Sequence, residues 1–376
     1  MDLTDLPLIL MSDKSHICCD PSHTLNDEKI NKFLVWWFTF LYNNFINLYV
    51  VRLNDSCCLV TQKEKVMDTF QKTFKMMGTL ISLRIDGENP QLVMDGAEHL
   101  LHVYNHRFSA NDPESELMQV NRMAGQKPVQ VHSELFELIQ LGKSHSQADQ
   151  SFLNIAIGPL VKLWRIGFED ARVPSSQEIT NRLSLIQPDQ ILLDSLQQTV
   201  YLSQEGMEID LGALAKGYIA DRLVDYIQAQ GMQAAMVNLG GNIRTFGPAR
   251  HQANGLWRVG LQDPSQTRHQ HLGVLQVRDL SLVTSGIYER HLQVAGQDYH
   301  HIFDPETGYP IDSQLQSITI LSTTSVDGEI WTSRLFGWSP QEIMGIIRQQ
   351  ADLEAIVVDL GGHIHASTNL SQWHMT

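Results

Sequence analysis

The stretch Val237-Asn-Leu-Gly-Gly-Asn-Ile243 predicts a strand, a tight turn and a returning strand, and Val358-Asp-Leu-Gly-Gly-His-Ile364 repeats the pattern. Paired glycines supply the positive φ angles that a tight antiparallel hairpin requires. Turn chemistry alone explains the match, and so does an internal duplication; one short match leaves both open. In either case the two stretches predict neighbouring antiparallel strands.

Outward from these hairpins, predicted strands again occur as neighbours in the chain, which favours an α+β fold over a doubly wound one. Strands are predicted at Thr79–Ile85, Gln190–Leu193, Thr199–Leu202, Met207–Ile209 and near 234–238, 257–262, 273–278, 281–284, 290–295 and 316–322. Helices are predicted at Leu92–Phe108, Ser133–Ser146, Ser175–Leu185, Ala213–Gln230, 328–336 and 340–349, with Ser133 and Ser175 as caps. We therefore expect an α+β fold of mixed, largely antiparallel sheets with flanking helices.

The composition separates the chain into two parts. All 25 glycines lie at Gly78 or later, whereas the four cysteines all precede residue 59. At ordinary usage, about five glycines would occur before Gly78. We expect an N-terminal extension at 1–66 and a single domain at 67–376. A chain of 376 residues with 43% hydrophobic residues is not disordered throughout.

Charge and cysteine content exclude several classes of protein. The formal charge of −15 argues against nucleic-acid binding, which needs a cationic surface, so an anionic ligand would need local positive charge. There is no cysteine after Cys58, which excludes thiol catalysis, iron–sulfur clusters and disulfides in that part of the chain. The pairs Cys18-Cys19 and Cys57-Cys58 lack the Cys-x-x-Cys spacing of a zinc site, so a zinc site with the nearby His16 and His23 is only poorly specified, and incidental thiols are the favoured interpretation.

Residues 33–51 form an uncharged stretch of 19 residues between Lys32 and Arg52. The length nearly suffices to cross a bilayer, but eight of the residues are aromatic and three are asparagine. We consider two interpretations: a membrane anchor, or sequence upstream of a translation start near Met67. The second, which we favour, makes the protein cytoplasmic, whereas the first makes it membrane-anchored.

The segment Ile209-Asp-Leu-Gly-Ala-Leu-Ala-Lys-Gly217 leads into a predicted helix. Asp210 lies where it can cap that helix, and Lys216 offers a cation to a phosphate. Gly212 and Gly217 permit another group to approach closely. The spacing is not that of a Walker A loop. Taken alone, the segment is better explained as an ordinary capped helix with a surface lysine.

The segment Tyr299-His-His-Ile-Phe-Asp-Pro-Glu-Thr-Gly308 joins a predicted strand to an Asp-Pro/Thr-Gly turn. Side chains of adjacent strand residues point to opposite faces, so one of His300 and His301 faces a surface or cleft. A histidine there can act as general base on a hydroxyl, with Asp304 orienting it or binding a cation. Satisfied or solvent-facing imidazoles are the alternative.

The segment Asp327-Gly-Glu-Ile-Trp-Thr-Ser333 begins a predicted helix, and Glu329 and Ser333 lie four residues apart on one face of it. Their side chains offer the hard oxygen ligands that magnesium prefers. The helix macrodipole also favours a carboxylate in the first turn, which is the purely structural explanation.

Taken together and in this order, these segments resemble the FAD:protein FMN transferase (ApbE) family over about residues 70–370. Seven segments carry the resemblance: Met77-Gly-Thr79, Phe108–Leu117 with Ser115-Glu-Leu117, Ile157-Gly-Pro-Leu-Val-Lys-Leu-Trp164, Ile209–Gly217, Val237-Asn-Leu-Gly-Gly241, Thr284-Ser-Gly286 and His301-Ile-Phe-Asp-Pro-Glu-Thr-Gly308. The resemblance implies one catalytic domain with an α+β, T-fold-related architecture. The implied reaction is attack by a Thr or Ser hydroxyl of an acceptor flavoprotein on the FMN phosphorus of FAD, with AMP released.

The resemblance also implies roles for individual residues. The substrate FAD would contact residues from several segments: Met77, Ser109, Ala110, Asn111, Asp210, Lys216, Thr284 and Ile302. The cofactor Mg²⁺ would be held by the Ala213 carbonyl and by the side chains of Glu329 and Ser333. His301 would act as the base, with Asp304 beside it. The acceptor would present a Ser/Thr-Gly-Ala-Thr type segment.

The chain departs from the family pattern at several positions. Glu329 and Ser333 stand where Asp and Thr are usual, Asn111 where an aromatic residue is common, and Asn154 and Asn242 where many members have Asp. Glutamate extends the ligand by about one bond length, which the strict octahedral shell of Mg²⁺ can register. Two alternative activities remain open: an FAD pyrophosphatase that uses water as acceptor, and a flavin-binding protein without turnover.

Overall fold

A computed structural model describes residues 10–11, 16–18, 46–53, 56–63, 67–266, 270–367 and 373–375. The chain divides into two compact units, Met1–Met67 and Asp68–Thr376. In the first unit, strands β1 (Leu10–Met11), β2 (His16–Cys18), β3 (Ile46–Leu53) and β4 (Ser56–Lys63) form an antiparallel sheet in the order β1-β2-β4-β3.

The predicted anchor at 33–51 falls largely outside the described residues. Residues 33–45 lie outside them, whereas 46–51 belong to β3. Within the described ranges, no helix combines the length and apolarity needed to span a bilayer. The anchor and the translation start near Met67 both stay predictions.

The second unit contains the remaining elements. Its strands are β5 (Asp68–Met76), β6 (Thr79–Gly87), β7 (Val129–Gln130), β8 (Ile191–Asp194), β9 (Thr199–Leu202), β10 (Ala234–Leu239), β11 (Asn242–Phe246), β12 (Trp257–Gln262), β13 (His271–Val277), β14 (Ser281–Gly286), β15 (His291–Val294), β16 (Gln297–His300), β17 (Leu315–Ser322), β18 (Leu353–Asp359), β19 (Ile364–Ala366) and β20 (Trp373–Met375). Its helices are α1 (Pro90–Phe108), α2 (Glu116–Arg122), α3 (Ser133–Ser146), α4 (Gly158–Trp164), α5 (Ser176–Leu183), α6 (Ala215–Ala229), α7 (Ser325–Leu335) and α8 (Pro340–Ile347), with a 3-10 turn at Pro188–Gln190.

The main sheet has eight strands in the order β19-β18-β17-β14-β11-β10-β6-β5. Every neighbouring pair in it is antiparallel. Smaller sheets are formed by β12-β13-β20, by β7-β9-β8 and by the hairpin β15-β16. The predicted α+β fold with largely antiparallel sheets is therefore confirmed.

Side chains of the central strands alternate between two cores, as the period of two in a strand requires. On β10, Val237 and Leu239 are fully buried in the core that α1 and α6 share with the sheet. Ala234 is buried on the other face, where Trp257 and Val259 of β12 pack. Each large apolar side chain buried in this way contributes roughly 1.5–3 kcal/mol relative to exposure. The burial fixes β10 and β11 in the middle of the sheet.

Both predicted Leu-Gly-Gly hairpins are present. In the first, β10 and β11 are joined by Gly240 and Gly241, whose φ angles are +67° and +98°. In the second, the last strand pair is Val358 with Ile364, so the turn between β18 and β19 is longer. The two turns differ in length, and the internal duplication stays a hypothesis.

Two local predictions are wrong. Met207–Ile209 is not a strand: only Glu208 forms an isolated parallel bridge, to Ile157, because this short run has no further strand partner. Ser133 is not a cap, since the helix already begins at that residue. The ring nitrogen Nδ1 of His132 accepts the Glu134 amide instead, at 3.2 Å.

Candidate active site

The segment that precedes helix α6 is held by a buried asparagine. The side chain of Asn121 accepts the Ile209 amide at 2.8 Å and donates to the Ile209 carbonyl at 3.0 Å. Asp210 follows, and its Oδ1 accepts the Gly212 amide at 2.7 Å. The helix begins only after Leu214, whose side chain provides no cap. The prediction that Asp210 caps the helix is therefore wrong, because its carboxylate closes a local turn before the helix.

The charges of three cations act on the Asp210 carboxylate. Burial raises the pKa of its carboxyl, whereas a backbone hydrogen bond and the charges of Arg290, Lys162 and Lys216 lower it. The cations come from three distant parts of the chain: helix α4, helix α6 and the loop between β14 and β15. These cations are a local source of positive charge for an anionic ligand in a protein of net charge −15, although Lys216 and Lys162 are each paired with a carboxylate, Glu329 and Glu208.

Helices α6 and α7 meet at Gly217. A Cβ atom at this position would lie 2.5 Å from the Ser325 carbonyl oxygen and 2.8 Å from Cγ of Glu329. Only glycine permits this approach, because real Cβ atoms do not come so close to backbone atoms. The contact holds Glu329 beside the first turn of α6.

The first turn of α7 is held by a buried carboxylate on α6. Asp221 accepts the amides of Ser325 at 2.8 Å and Val326 at 2.9 Å, and Arg244 donates to it at 3.2 Å. Burial raises the pKa of Asp221, and these same donors oppose that rise. Because the first amides of a helix have no partner within it, Asp221 acts as an external cap.

Glu329 is 5% exposed and is the end of a chain of polar contacts. Ser325 donates to the Asn242 side-chain oxygen at 2.6 Å, and the Asn242 amide donates to Oε1 of Glu329 at 2.9 Å. The ammonium group of Lys216 lies 3.2 Å from the same oxygen. The described residues donate no hydrogen bond to Oε2. Glu329 is thus fixed through one oxygen and available through the other.

His301 has a defined tautomer. Its Nδ1 lies 3.1 Å from the backbone carbonyl of Arg290, which can only accept a hydrogen bond. Nδ1 therefore carries the hydrogen, and Nε2 has the lone pair. Burial, together with the charges of Arg290 and Lys216, lowers the pKa of His301 to about 4, so the ring is neutral near pH 7. This geometry is that of a general base.

The neighbouring residues of His301 have structural roles. The ring of His300 accepts the Ile302 amide at 3.2 Å, and its other nitrogen donates to the Ile311 carbonyl at 3.0 Å. The Asp304 carboxylate accepts the Glu306 amide at 2.8 Å within the turn. The described residues include no hydrogen bond between Asp304 and His301, so the Arg290 carbonyl orients the His301 ring instead.

Comparison with known proteins identifies the family. The ApbE family profile matches residues 77–357. This chain belongs to the ApbE family. A relative from Klebsiella pneumoniae (strain 342), named FAD:protein FMN transferase, is 42% identical over 75% of this chain and 87% of its own length. A relative of the same name from Treponema pallidum (strain Nichols) is 33% identical over 78% of this chain and 86% of its own length. The crystal structure of the ApbE protein from Thermotoga maritima matches with a TM-score of 0.73 and 25% identity over 80% of this chain and 97% of that chain.

In this ApbE family member, the residues that the resemblance assigns to FAD lie on turns, on strand β14 and on helix α6. Met77, with φ +54°, forms with Gly78 the turn between β5 and β6. Ser109 ends α1, and its hydroxyl accepts the amides of Asn111 at 3.1 Å and Asp112 at 3.0 Å. The remaining residues are Ala110, which packs on the main core, Ile302, which packs on the core beside α7 and α8, and Thr284, whose hydroxyl lies 2.8 Å from that of Thr319.

The contacts divide these ApbE residues into two groups. Charge interactions link Asp210, Lys216 and His301 with Arg290. Among the described residues, no hydrogen bond or ion pair joins the 109–111 loop or Thr284 to that group. The FAD contacts of both groups stay predictions.

The proposed magnesium ligands of this ApbE protein are of the right chemical type. Glu329 offers Oε2, Ser333 lies one helical turn further on α7, and the Ala213 carbonyl accepts no backbone hydrogen bond from the described residues. A carboxylate, a hydroxyl and a carbonyl are all hard oxygen donors. The described residues contain no group of three His, Cys, Asp or Glu side chains arranged for a metal, so a carboxylate-rich site is not present among them. The donor set fits a cation that is also bound by substrate phosphates, as Mg²⁺ commonly is.

Sequence reasoning missed four residues of the candidate site. Arg290 and Lys162 contribute charge to it, and Asp221 and Asn121 position its helices. The only signal for Lys162 was its place in the Ile157–Trp164 motif. The others had no local signal, because their partners are remote in the sequence.

Proposed function

We propose that this protein transfers FMN from FAD to a Thr or Ser hydroxyl of an acceptor flavoprotein, with AMP as the leaving group and Mg²⁺ as cofactor. The geometry of His301 carries the proposal: Nδ1 donates to a carbonyl, and Nε2 forms no hydrogen bond with the described residues. The names of relatives with 42% and 33% identity support the same reaction.

The chemical step assigns one proton transfer to His301. The acceptor hydroxyl gives its proton to Nε2 while its oxygen forms a bond to the FMN phosphorus. The bond from that phosphorus to the bridging oxygen of the pyrophosphate breaks, and AMP leaves with the bonding electrons. The acceptor then carries FMN through a phosphoester link. The negative charge of bound FAD favours the imidazolium form, so substrate binding strengthens His301 as a base.

The cations around Asp210 support binding of the pyrophosphate. Lys216 lies between the Glu329 carboxylate and the Gly212 carbonyl, at 3.2 and 3.4 Å, and so is held at the start of α6. Glu329, Ser333 and the Ala213 carbonyl would hold Mg²⁺. When bound, the metal would neutralise phosphate charge and orient the leaving group. Positive charge fixed before the reaction stabilises charge that develops during phosphoryl transfer.

The test uses the full-length protein with FAD, Mg²⁺ and an acceptor domain that carries a Ser/Thr-Gly-Ala-Thr type segment. Mass spectrometry of the intact acceptor should show the addition of one FMN, with AMP in the supernatant. AMP and free FMN without an adduct would establish hydrolysis instead. FAD binding without either product would establish a passive flavin binder.

The same assay tests the base. His301→Ala should slow transfer by about 10²- to 10⁴-fold and change FAD affinity much less. His291→Ala is the matched control, because this histidine is exposed and only pairs with Asp298 at 3.2 Å on the nearby hairpin. Equal losses of rate and FAD affinity in His301→Ala would assign His301 a structural role.

A further inference from the structure

Arg290 is a cation without a carboxylate partner at the candidate site. It lies in the exposed loop between β14 and β15. Lys216 pairs with Glu329, and Lys162 pairs with Glu208 at 2.5 Å. In contrast, the Arg290 guanidinium forms no ion pair or hydrogen bond with any residue in the described ranges. In a protein with 42 acidic and 27 basic residues, an unpaired arginine beside a cationic cluster is unexpected from composition.

Two glycines with positive φ position the Arg290 side chain. A Cβ atom at Gly167, with φ +91°, would lie 2.9 Å from Cδ of Arg290, so the aliphatic stem packs directly on that backbone. A Cβ atom at Gly78, with φ +70°, would lie 3.8 Å from Nη2. The tip of the side chain therefore lies at the Met77-Gly78 turn. The aliphatic stem packs against Gly167, and the guanidinium has no ion-pair or hydrogen-bond partner among the described residues.

Arg290 interacts with both groups that define the site, with Asp210 through its charge and with His301 through its backbone. Its charge is among those that lower the pKa of Asp210, and its backbone carbonyl accepts the Nδ1 hydrogen of His301 at 3.1 Å. The backbone of Arg290 thus orients the base, while its side chain extends toward the Met77-Gly78 turn.

We propose that the Arg290 guanidinium binds the FAD pyrophosphate at its FMN phosphate, the one that the acceptor hydroxyl attacks with His301 as base. This inference rests on the proposed function for its substrate. A guanidinium presents a planar fork of donors that matches two phosphate oxygens, which a lysine cannot match. The group neither gains nor loses a proton in the reaction. The guanidinium neutralises negative charge on the oxygens bound to the attacked phosphorus. This stabilisation is greatest in the transition state, where that charge is redistributed.

Arg290 acts through two separate groups, its guanidinium and its backbone carbonyl. Replacement of the side chain leaves the carbonyl to which His301 donates in place. A variant at Arg290 therefore removes the phosphate contact and retains the orientation of the base. Because the side chain is exposed, such variants should fold.

The experiment compares the full-length wild type with Arg290→Gln, Arg290→Lys and the control Arg278→Gln. Arg278 is also an exposed loop arginine, paired with Asp279 at 3.2 Å. Affinities for FAD and for riboflavin, which lacks phosphate, are measured by quenching of flavin fluorescence. The rate of FMN transfer is measured by acceptor mass.

We expect Arg290→Gln to weaken FAD binding by about 10- to 100-fold and leave riboflavin affinity within twofold of wild type, in line with loss of a charge-assisted contact. The transfer rate should fall by about 10²- to 10³-fold. Arg290→Lys should lie between wild type and Arg290→Gln in FAD affinity, and Arg278→Gln should match wild type.

Three results would overturn the inference. The first is FAD affinity unchanged in Arg290→Gln, and the second is an equal loss of riboflavin and FAD affinity. The third is an Arg290→Lys variant as weak as Arg290→Gln. Failure of the wild type to transfer FMN would refute the proposed function alone, because the comparison of FAD with riboflavin binding needs no turnover.

Discussion

Replacement of Asp221 by Asn should destabilise the protein and displace the helix that carries Glu329 and Ser333. The carboxylate accepts the amides of Ser325 and Val326 at 2.8 and 2.9 Å, and accepts from Arg244 as well. Asparagine has nearly the same size, but it retains only one acceptor oxygen. Its NH₂ group would face a backbone amide or Arg244, all of which are donors. The negative charge that pairs with the Arg244 guanidinium would also be lost.

The magnitude follows from these contacts. A hydrogen bond to a charged group contributes about 1.5–3 kcal/mol, and an unsatisfied buried donor costs a further 1–3 kcal/mol at most. Since one acceptor oxygen remains, we expect a loss of about 2–4 kcal/mol in the free energy of unfolding. For a domain of this size, each kcal/mol lowers Tm by roughly 2 °C, so the expected shift is about 4–8 °C.

The assay is thermal unfolding followed by circular dichroism, together with FMN transfer measured at 25 °C. Asp225→Asn is the matched control on the same helix, since its side chain is 60% exposed and pairs with Arg222 at the surface. That control should shift Tm by about 1 °C or less. A Tm shift for Asp221→Asn as small as that of the control would refute the capping role.

Two further predictions concern the base and the helix contact. In a pH profile of kcat/KM, which reports the free enzyme, the acidic limb should lie near pH 4 because the neutral form of His301 is lost only as the pH falls through its pKa of about 4. A limb near the ordinary histidine value of 6.5 would contradict the assignment. Gly217→Ala should cost about 1–3 kcal/mol in urea unfolding and reduce the transfer rate, because its Cβ would lie 2.5 Å from the Ser325 carbonyl oxygen. Unchanged stability and rate would contradict the close packing of the two helices.

Features that depend on neighbouring residues could be predicted from the sequence. The turn at Gly240 and Gly241 requires only two residues that tolerate positive φ. The cap of α5 was equally local: the Ser175 side chain accepts the Glu178 amide, and Glu178 reaches back in a capping box. Met207–Ile209 failed as a strand because its pattern was too short to specify a partner.

Features that depend on remote residues could not be predicted in this way. Asp221 and Ser325 are 104 residues apart, and the sequence around Asp221 predicts only an ordinary helix. The resemblance to the family gave a role to His301, but the partner expected from the sequence was Asp304. In the structure, the partner of His301 Nδ1 is the Arg290 carbonyl. Every residue has a backbone carbonyl, so the sequence cannot indicate such a partner.

The contact between Asn242 and Glu329 couples the residue types that these two positions can hold. The Asn242 amide nitrogen lies 2.9 Å from Oε1 of Glu329, so an Asp at 242 would bring two carboxylates into contact. Such a pair would hold a shared proton or repel, and either state would compete with cation binding. An Asp at 242 is therefore compatible only with a shorter residue at 329, and the amide at 242 is what permits glutamate at 329. In this chain, substitutions at either position should be tolerated only in pairs.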